Sequence, residues 1–200
     1  MEQKKYRAGL VKLSFWLSEL RKVIQLLNEG MTLKDINNLN IDQNIFSAPT
    51  QARAIQIYKT VSTRVKTLDP DFYPLFENSD IFNQKIINLI AIMKSDALFF
   101  DFMYEVYREK QIIGVDEITD SDISIFFKDK QVQSERVAKW TDETLKRLGE
   151  CYKTILMEAG VLERNTGVRK ILKPIMDRAL EEKLKEHGMT LTLHALTGVR

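Results

Sequence analysis

Cysteine is all but absent: Cys151 is the single thiol in 200 residues. No disulfide can form within the chain, and such usage suits a reducing compartment, so a cytoplasmic protein is expected. Histidine is nearly as scarce. His187 and His194 lie seven apart with Gly188 between them, whereas a helical ligand pair wants a spacing of three or four. The glycines are isolated and build no phosphate-binding loop. Apolar runs stay short of the roughly 18 residues of a membrane span, and the densest, from Ile86 to Met93, is interrupted by Asn88. The opening MEQKKY has no apolar segment behind its lysines and does not read as a secretory signal.

Candidate chemical groups fare no better. Cys151 falls beside Tyr152 on the apolar stripe of a helix, where a buried, inert thiol is expected. Asp116, Glu117, Asp120 and Asp122 form an acidic cluster without the glycine or the closing Glu of a calcium loop. Helix capping and solvation account for them. These absences predict a non-enzyme without metal, cofactor, small-molecule substrate or membrane.

What is present is helical periodicity. The composition, 44% apolar and 29% charged, suffices for one or two domains with a real core. From Tyr6 to Gly30, Leu10, Leu13, Leu17, Leu20, Ile24 and Leu27 recur at steps of three and four, which predicts one long amphipathic helix stopped by Gly30. Thr32 and Asp35 cap a short helix, and the Asn-rich stretch 37–44 reads as a loop. A helix from Pro49 or Thr50 to Leu68 turns Ile55, Tyr58, Val61, Val65 and Leu68 inward. A loop with Pro70 and Pro74 follows. Ser79 or Asp80 caps a nearly all-apolar, central helix, and residues 96–109 form an aromatic-rich one.

Residues 112–116, with Gly114, divide the chain into an N-terminal bundle, 1–112, and a C-terminal part, 116–200. In the latter, Thr119 or Asp120 caps a short helix and Thr141 a longer one ending at Gly160. Val161–Leu162, a turn at 165–167 and Val168–Leu172 then suggest a minor β-hairpin. Two helices and a hairpin are the order of a winged-helix unit; a plain helical subdomain is the alternative. Asp177 to His187, stopped by Gly188, reads as a final helix. The fold class is all-α.

Charge is unevenly spread. Residues 1–67 carry 11 Lys+Arg against 5 Asp+Glu, 68–133 carry 6 against 13, and 134–200 carry 13 against 10. Gln43 to Leu68 holds no acidic residue, yet contains Arg53, Lys59, Arg64 and Lys66. Helical geometry places Arg53, Gln56, Thr60, Arg64 and Thr67 in one polar stripe flanked by Lys59 and Lys66. Cations neutralise phosphates, and Thr and Gln donate hydrogen bonds to them, as sequence-tolerant binding of double-stranded DNA requires. Lys4, Lys5, Arg7 and Lys12 extend this surface. Lys146, Lys153, Arg169 and Lys170, around the longer C-terminal helix and hairpin, form a second candidate DNA surface, which Glu143 and Glu150 interrupt.

Three segments together carry a resemblance: Tyr6-x-Ala8-Gly9-Leu10-x-Lys12 with Phe15, Glu19 and Gly30; Leu98-Phe99-Phe100-Asp101-Phe102 with Glu105-Val106; and Trp140-Thr141 leading through Leu145 and Leu148 to Gly160-Val161-Leu162. In this order they resemble the BrxA family, small accessory components of bacteriophage exclusion (BREX) phage-defence systems. The resemblance implies a helical bundle like the NusB-like fold for at least part of the chain, association with double-stranded DNA, and other BREX proteins as partners. The rival expectation is an adaptor that docks a larger BREX component through its acidic middle third and aromatic-rich helix. RNA binding, by analogy with NusB alone, is a weaker third.

Overall fold

The computed structural model describes residues 6–164 and 169–199. It is all-α apart from one short antiparallel pair of strands among the described residues. The long N-terminal helix expected from Tyr6 is instead broken in two. A 3-10 turn, Gly9–Lys12, precedes α1, Leu17–Asn28. Between them Leu13 is extended and Trp16 sits in the left-handed region at φ 49°. Tertiary bonds explain the break. The carbonyl of Phe15 accepts from Arg64 and, at 2.8 Å, from Asn88 Nδ2, and that of Ser14 accepts from Arg64 Nη2 at 2.7 Å. These carbonyls face across the core instead of along a helix. Leu10 and Leu20 are buried all the same, so the periodic spacing survives without continuous helix.

Thr32 and Asp35 form a reciprocal capping box at the start of α2, Leu33–Gln43. The helix runs through the stretch read as an Asn-rich loop, because buried Asn40 donates to the Ala54 carbonyl at 3.1 Å and Asn44 takes the left-handed stop. Thr50 caps α3, Gln51–Val65, as expected. Its inward face is Ala54, Ile57, Val61, Ser62, Arg64 and Val65, rotated from the expected one so that Ile55 and Tyr58 are only half-buried. The Pro70–Pro74 loop contains a helix, α4, Phe72–Asn78, with Pro74 tolerated in its first turn.

Asp80 caps α5, Ile81–Ser95, whose residues from Ile86 to Met93 are all buried. It is the central helix, packing on α1, α3, α4 and, farther along, α10. Asp96 caps α6, Ala97–Phe102, which continues through a π-helical turn, Met103–Tyr107, into α7, Arg108–Ile112. Phe99, Phe102, Met103 and Tyr107 of this aromatic-rich element are wholly buried. That face of the helix is core, while Phe100 and Tyr104 are half-buried and Glu105 and Glu109 exposed.

Beyond Gly114, at φ +73°, come β1, Glu117–Ile118, then α8, Asp120–Gln133, under a Thr119–Asp122 capping box. A short α9, Glu135–Ala138, is capped by Ser134, and Thr141 caps α10, Asp142–Ala159, which Gly160 ends at φ +79°. β2, Arg169–Lys170, pairs with β1 in antiparallel register, and Leu162 bridges Ile171. Among the described residues the hairpin expected between 161–162 and 168–172 is reduced to that one bridge, and β2 instead takes β1, from before α8, as its partner strand. The turn at 165–167 and Val168 lie outside the described residues. The chain then adds α11, Arg178–Glu186, and a helix not expected, α12, Thr190–Thr197, restarted after Gly188. One continuous core spans residues on both sides of 112–116.

Candidate nucleic-acid interface

The acid-free stretch folds into α3, and tertiary packing decides which of its cations reach solvent. Lys59 and Lys66 are exposed and seven apart, on one side of the helix with exposed Thr63 between them. Arg53 is half-buried; its guanidinium lies 4.9 Å from the centre of the Trp16 ring and donates to Gln56 Oε1 at 2.9 Å. Gln56 in turn donates to the Lys12 carbonyl at 3.1 Å, so the exposed Lys12 is held beside Arg53. Arg7 is exposed. Lys4 and Lys5 lie outside the described residues.

Arg64 has a different role from the one its stripe implied. Its residue exposure is 1%, and its guanidinium donates to the Ser14 and Phe15 carbonyls and lies near Trp16. Burial pushes its pKa down to about 10, while Glu19 and Glu158 partly hold it up. It stays charged at neutral pH but reaches no phosphate. The helix phase is the cause, since Arg64 stands one turn beyond Val61 on the buried side. Thr60 and Thr67 are also committed, donating to the carbonyls of Gln56 and Arg64 at 3.0 and 2.7 Å. The solvent face is therefore Lys59–Thr63–Lys66, rotated away from the expected Arg53–Thr60–Arg64 stripe.

The second candidate surface is reduced in a similar way. Lys153 is 3% exposed and pairs with Asp120 at 2.8 Å and Glu150 at 2.7 Å; it ties α10 to the start of α8 and is unavailable to a ligand. Arg169 is half-buried and pairs with Asp120 at 3.3 Å. The Asp120 carboxyl is held below the usual carboxylate range, first by its bond from Lys153. Lys146 and Lys170 remain exposed. Between α8 and α10 runs a groove of about 410 Å³ floored by Ile123, Phe127, Leu145 and Gly149. Its rim mixes Lys128 and Lys146 with Asp120, Asp142 and Glu150. That rim is not a phosphate track. Lys128 was invisible as a site residue, since only the α8–α10 packing brings it near Lys146.

Other groups are accounted for structurally. Asp122 closes the Thr119 capping box of α8, its carboxylate accepting from the Thr119 N–H at 2.8 Å, and pairs with Lys110 at 2.8 Å. Among the described residues no group of three or more His, Cys, Asp or Glu could hold a metal. None of their helices is long and apolar enough to cross a membrane. Cys151 is half-buried, its thiol pushed up by burial and by Glu150, opposite to an activated nucleophile.

These features define an all-α protein with an acid-free basic helix face and, among the described residues, one minor antiparallel strand pair. The family model BrxA matches residues 4–188. A BREX protein BrxA of Bacillus cereus (strain H3081.97) is 36% identical over 198 residues, 99% of each chain. The chain belongs to the BrxA family of the BREX phage-defence system. A crystal structure of an uncharacterized protein from Magnetospirillum magneticum has the same fold, at a TM-score of 0.82 and 17% identity over 98% of this chain and 100% of that one.

Proposed function

We propose that this BREX protein is a non-catalytic accessory factor that holds double-stranded DNA by its phosphate backbone. The observation that carries the reading is the α3 face, where Lys59 and Lys66 stand exposed in a 26-residue stretch, 43–68, without a single carboxylate side chain. Lys12 and the Trp16-stacked Arg53, joined through Gln56, border it. Such a surface neutralises phosphates and reads no bases, so binding is tolerant of sequence and steep in salt. Lys146 and Lys170 of the C-terminal part offer a second, weaker contact.

The test is binding of a labelled random-sequence duplex across a salt series, with an equal-length RNA duplex as competitor. Each neutralised phosphate contributes about −0.9 to the log–log salt slope. Lys59→Glu with Lys66→Glu should weaken binding and flatten the slope by about 2. Unchanged affinity and slope in the double variant would sink the α3 assignment. Absence of binding by the wild type near physiological salt would sink DNA binding altogether and leave the adaptor reading in front.

A further inference from the structure

Nine large apolar side chains are exposed among the described residues, and four of them, Leu172, Ile175, Leu191 and Val199, fall between positions 172 and 199. Two of them, Ile175 and Val199, line a groove of about 680 Å³ between the 173–176 strap and the helices α11 and α12. Met176 and Leu193 are buried and line the groove too. Ile175 is 86% exposed, although its neighbours Pro174 and Met176 are buried. The strap is also fastened at Asp177, whose N–H donates to Asn83 Oδ1 at 3.0 Å, and at Leu172, whose carbonyl accepts from Tyr107 Oη at 3.2 Å. Ile175 is thus held outward by a fixed backbone. Exposed apolar clusters of this kind, rimmed by charge, mark interaction sites.

The charge around the groove selects the partner. Lys173, Lys185 and His194 line the groove against the single carboxylate of Glu181. Phosphates gain nothing from an apolar floor, so nucleic acid is a poor occupant. A second copy is poor as well. The other exposed apolar stripe at helical spacing, Ile125 and Val132 of α8, has exposed Lys128 and Asp129 between its two members, Lys130 there being buried, and its exposed charges cancel.

We infer that this C-terminal groove docks an amphipathic segment of another protein, one that lays two or more apolar side chains over Ile175, Met176 and Leu193 and sets carboxylates against Lys173 and Lys185. Apolar anchors supply affinity and the complementary rim supplies orientation and partner choice. None of the residues lining this groove belongs to α3.

The probe is a photo-reactive benzoylphenylalanine at position 175 of the full chain, irradiated in cells that carry the complete BREX system, with the adduct mapped by mass spectrometry. One protein adduct is expected, at a segment with apolar residues at helical spacing flanked by Asp or Glu. Lys185→Glu should lower its yield by roughly twofold to fivefold, the effect of a rim ion pair, with duplex binding unchanged. No adduct, a nuclease-sensitive adduct, an adduct to a second copy, or a mapped segment without acidic flanks would each overturn the inference. All four leave the DNA reading standing.

Discussion

Arg64→Ala should cost stability rather than affinity. The substitution removes two hydrogen bonds from a buried cation to the carbonyls of Ser14 and Phe15, each contributing roughly 1.5–3 kcal/mol. Loss of the buried stem adds about 2 kcal/mol at roughly 0.8 kcal/mol per methylene. Against this stands the desolvation that pushes the Arg64 pKa from 12.5 down to about 10, equivalent to about 3 kcal/mol. The net loss is about 3 kcal/mol, and at this chain length the Tm falls by about 10 °C. A folded-state pKa lowered for a cation means that the penalty is fully present below the folded value and is relieved as pH rises toward the unfolded one. Arg64 therefore imposes no pH dependence between neutrality and mildly basic conditions. Thermal unfolding followed by circular dichroism, paired with duplex binding at low temperature, checks the prediction. Arg64→Lys keeps the charge but not the two-pronged geometry and should fall between. A Tm within about 2 °C of wild type, together with lost DNA affinity, would refute the buried role and restore Arg64 as a phosphate contact.

Three further outcomes are expected. Bonds from His187 and Lys183 hold the Asp71 carboxyl below the usual range; a depressed carboxylate stabilises above its unfolded pKa and stops doing so as pH falls through its folded one. Asp71→Asn should therefore lower the Tm at pH 7 and leave it unchanged at strongly acid pH, and equal shifts at both would contradict this linkage. The buried Tyr152 hydroxyl has no hydrogen-bond partner among the described residues, so Tyr152→Phe should be neutral or stabilising by up to about 1 kcal/mol in urea unfolding, whereas a loss beyond that would reveal a bound partner. A Cβ on Gly149 would meet Ile123 Cγ2 at 2.8 Å, so Gly149→Ala should cost roughly 1–3 kcal/mol through overpacking of α8 against α10, and a gain in helix stability instead would show that Ile123 can move aside.

Local grammar was legible in the chain. Thr32, Thr50, Asp80, Thr119 and Thr141 all cap the helices their positions promised, because a cap bonds a backbone N–H only two or three residues away. Gly30, Gly160 and Gly188 stop helices at positive φ for the same short-range reason. The nearly all-apolar helix at 81–95 could only be central. Segments that departed from expectation did so through distant partners. The helix from Tyr6 broke because Arg64 and Asn88 bond the Phe15 carbonyl, and the Asn-rich loop became helix because Asn40 reaches Ala54 across to α3.

The candidate site shows the same division. The sequence by itself determined that the carboxylate-free stretch 43–68 carries a helix rich in cations, because residue type and period are properties of the chain. It also determined that cysteine, histidine and glycine are too few or too scattered for disulfide, metal-ligand or phosphate-loop patterns. Only the tertiary structure decided which cations face water. A small rotation of α3 against α1 and α5 sends Arg64 to the core and leaves Lys59 and Lys66 outside. Lys153 goes inward likewise, where Asp120 and Glu150 meet it. Helical period constrains which residues share a face, but the direction that face points is set by the elements packed around it, and those come from elsewhere in the chain.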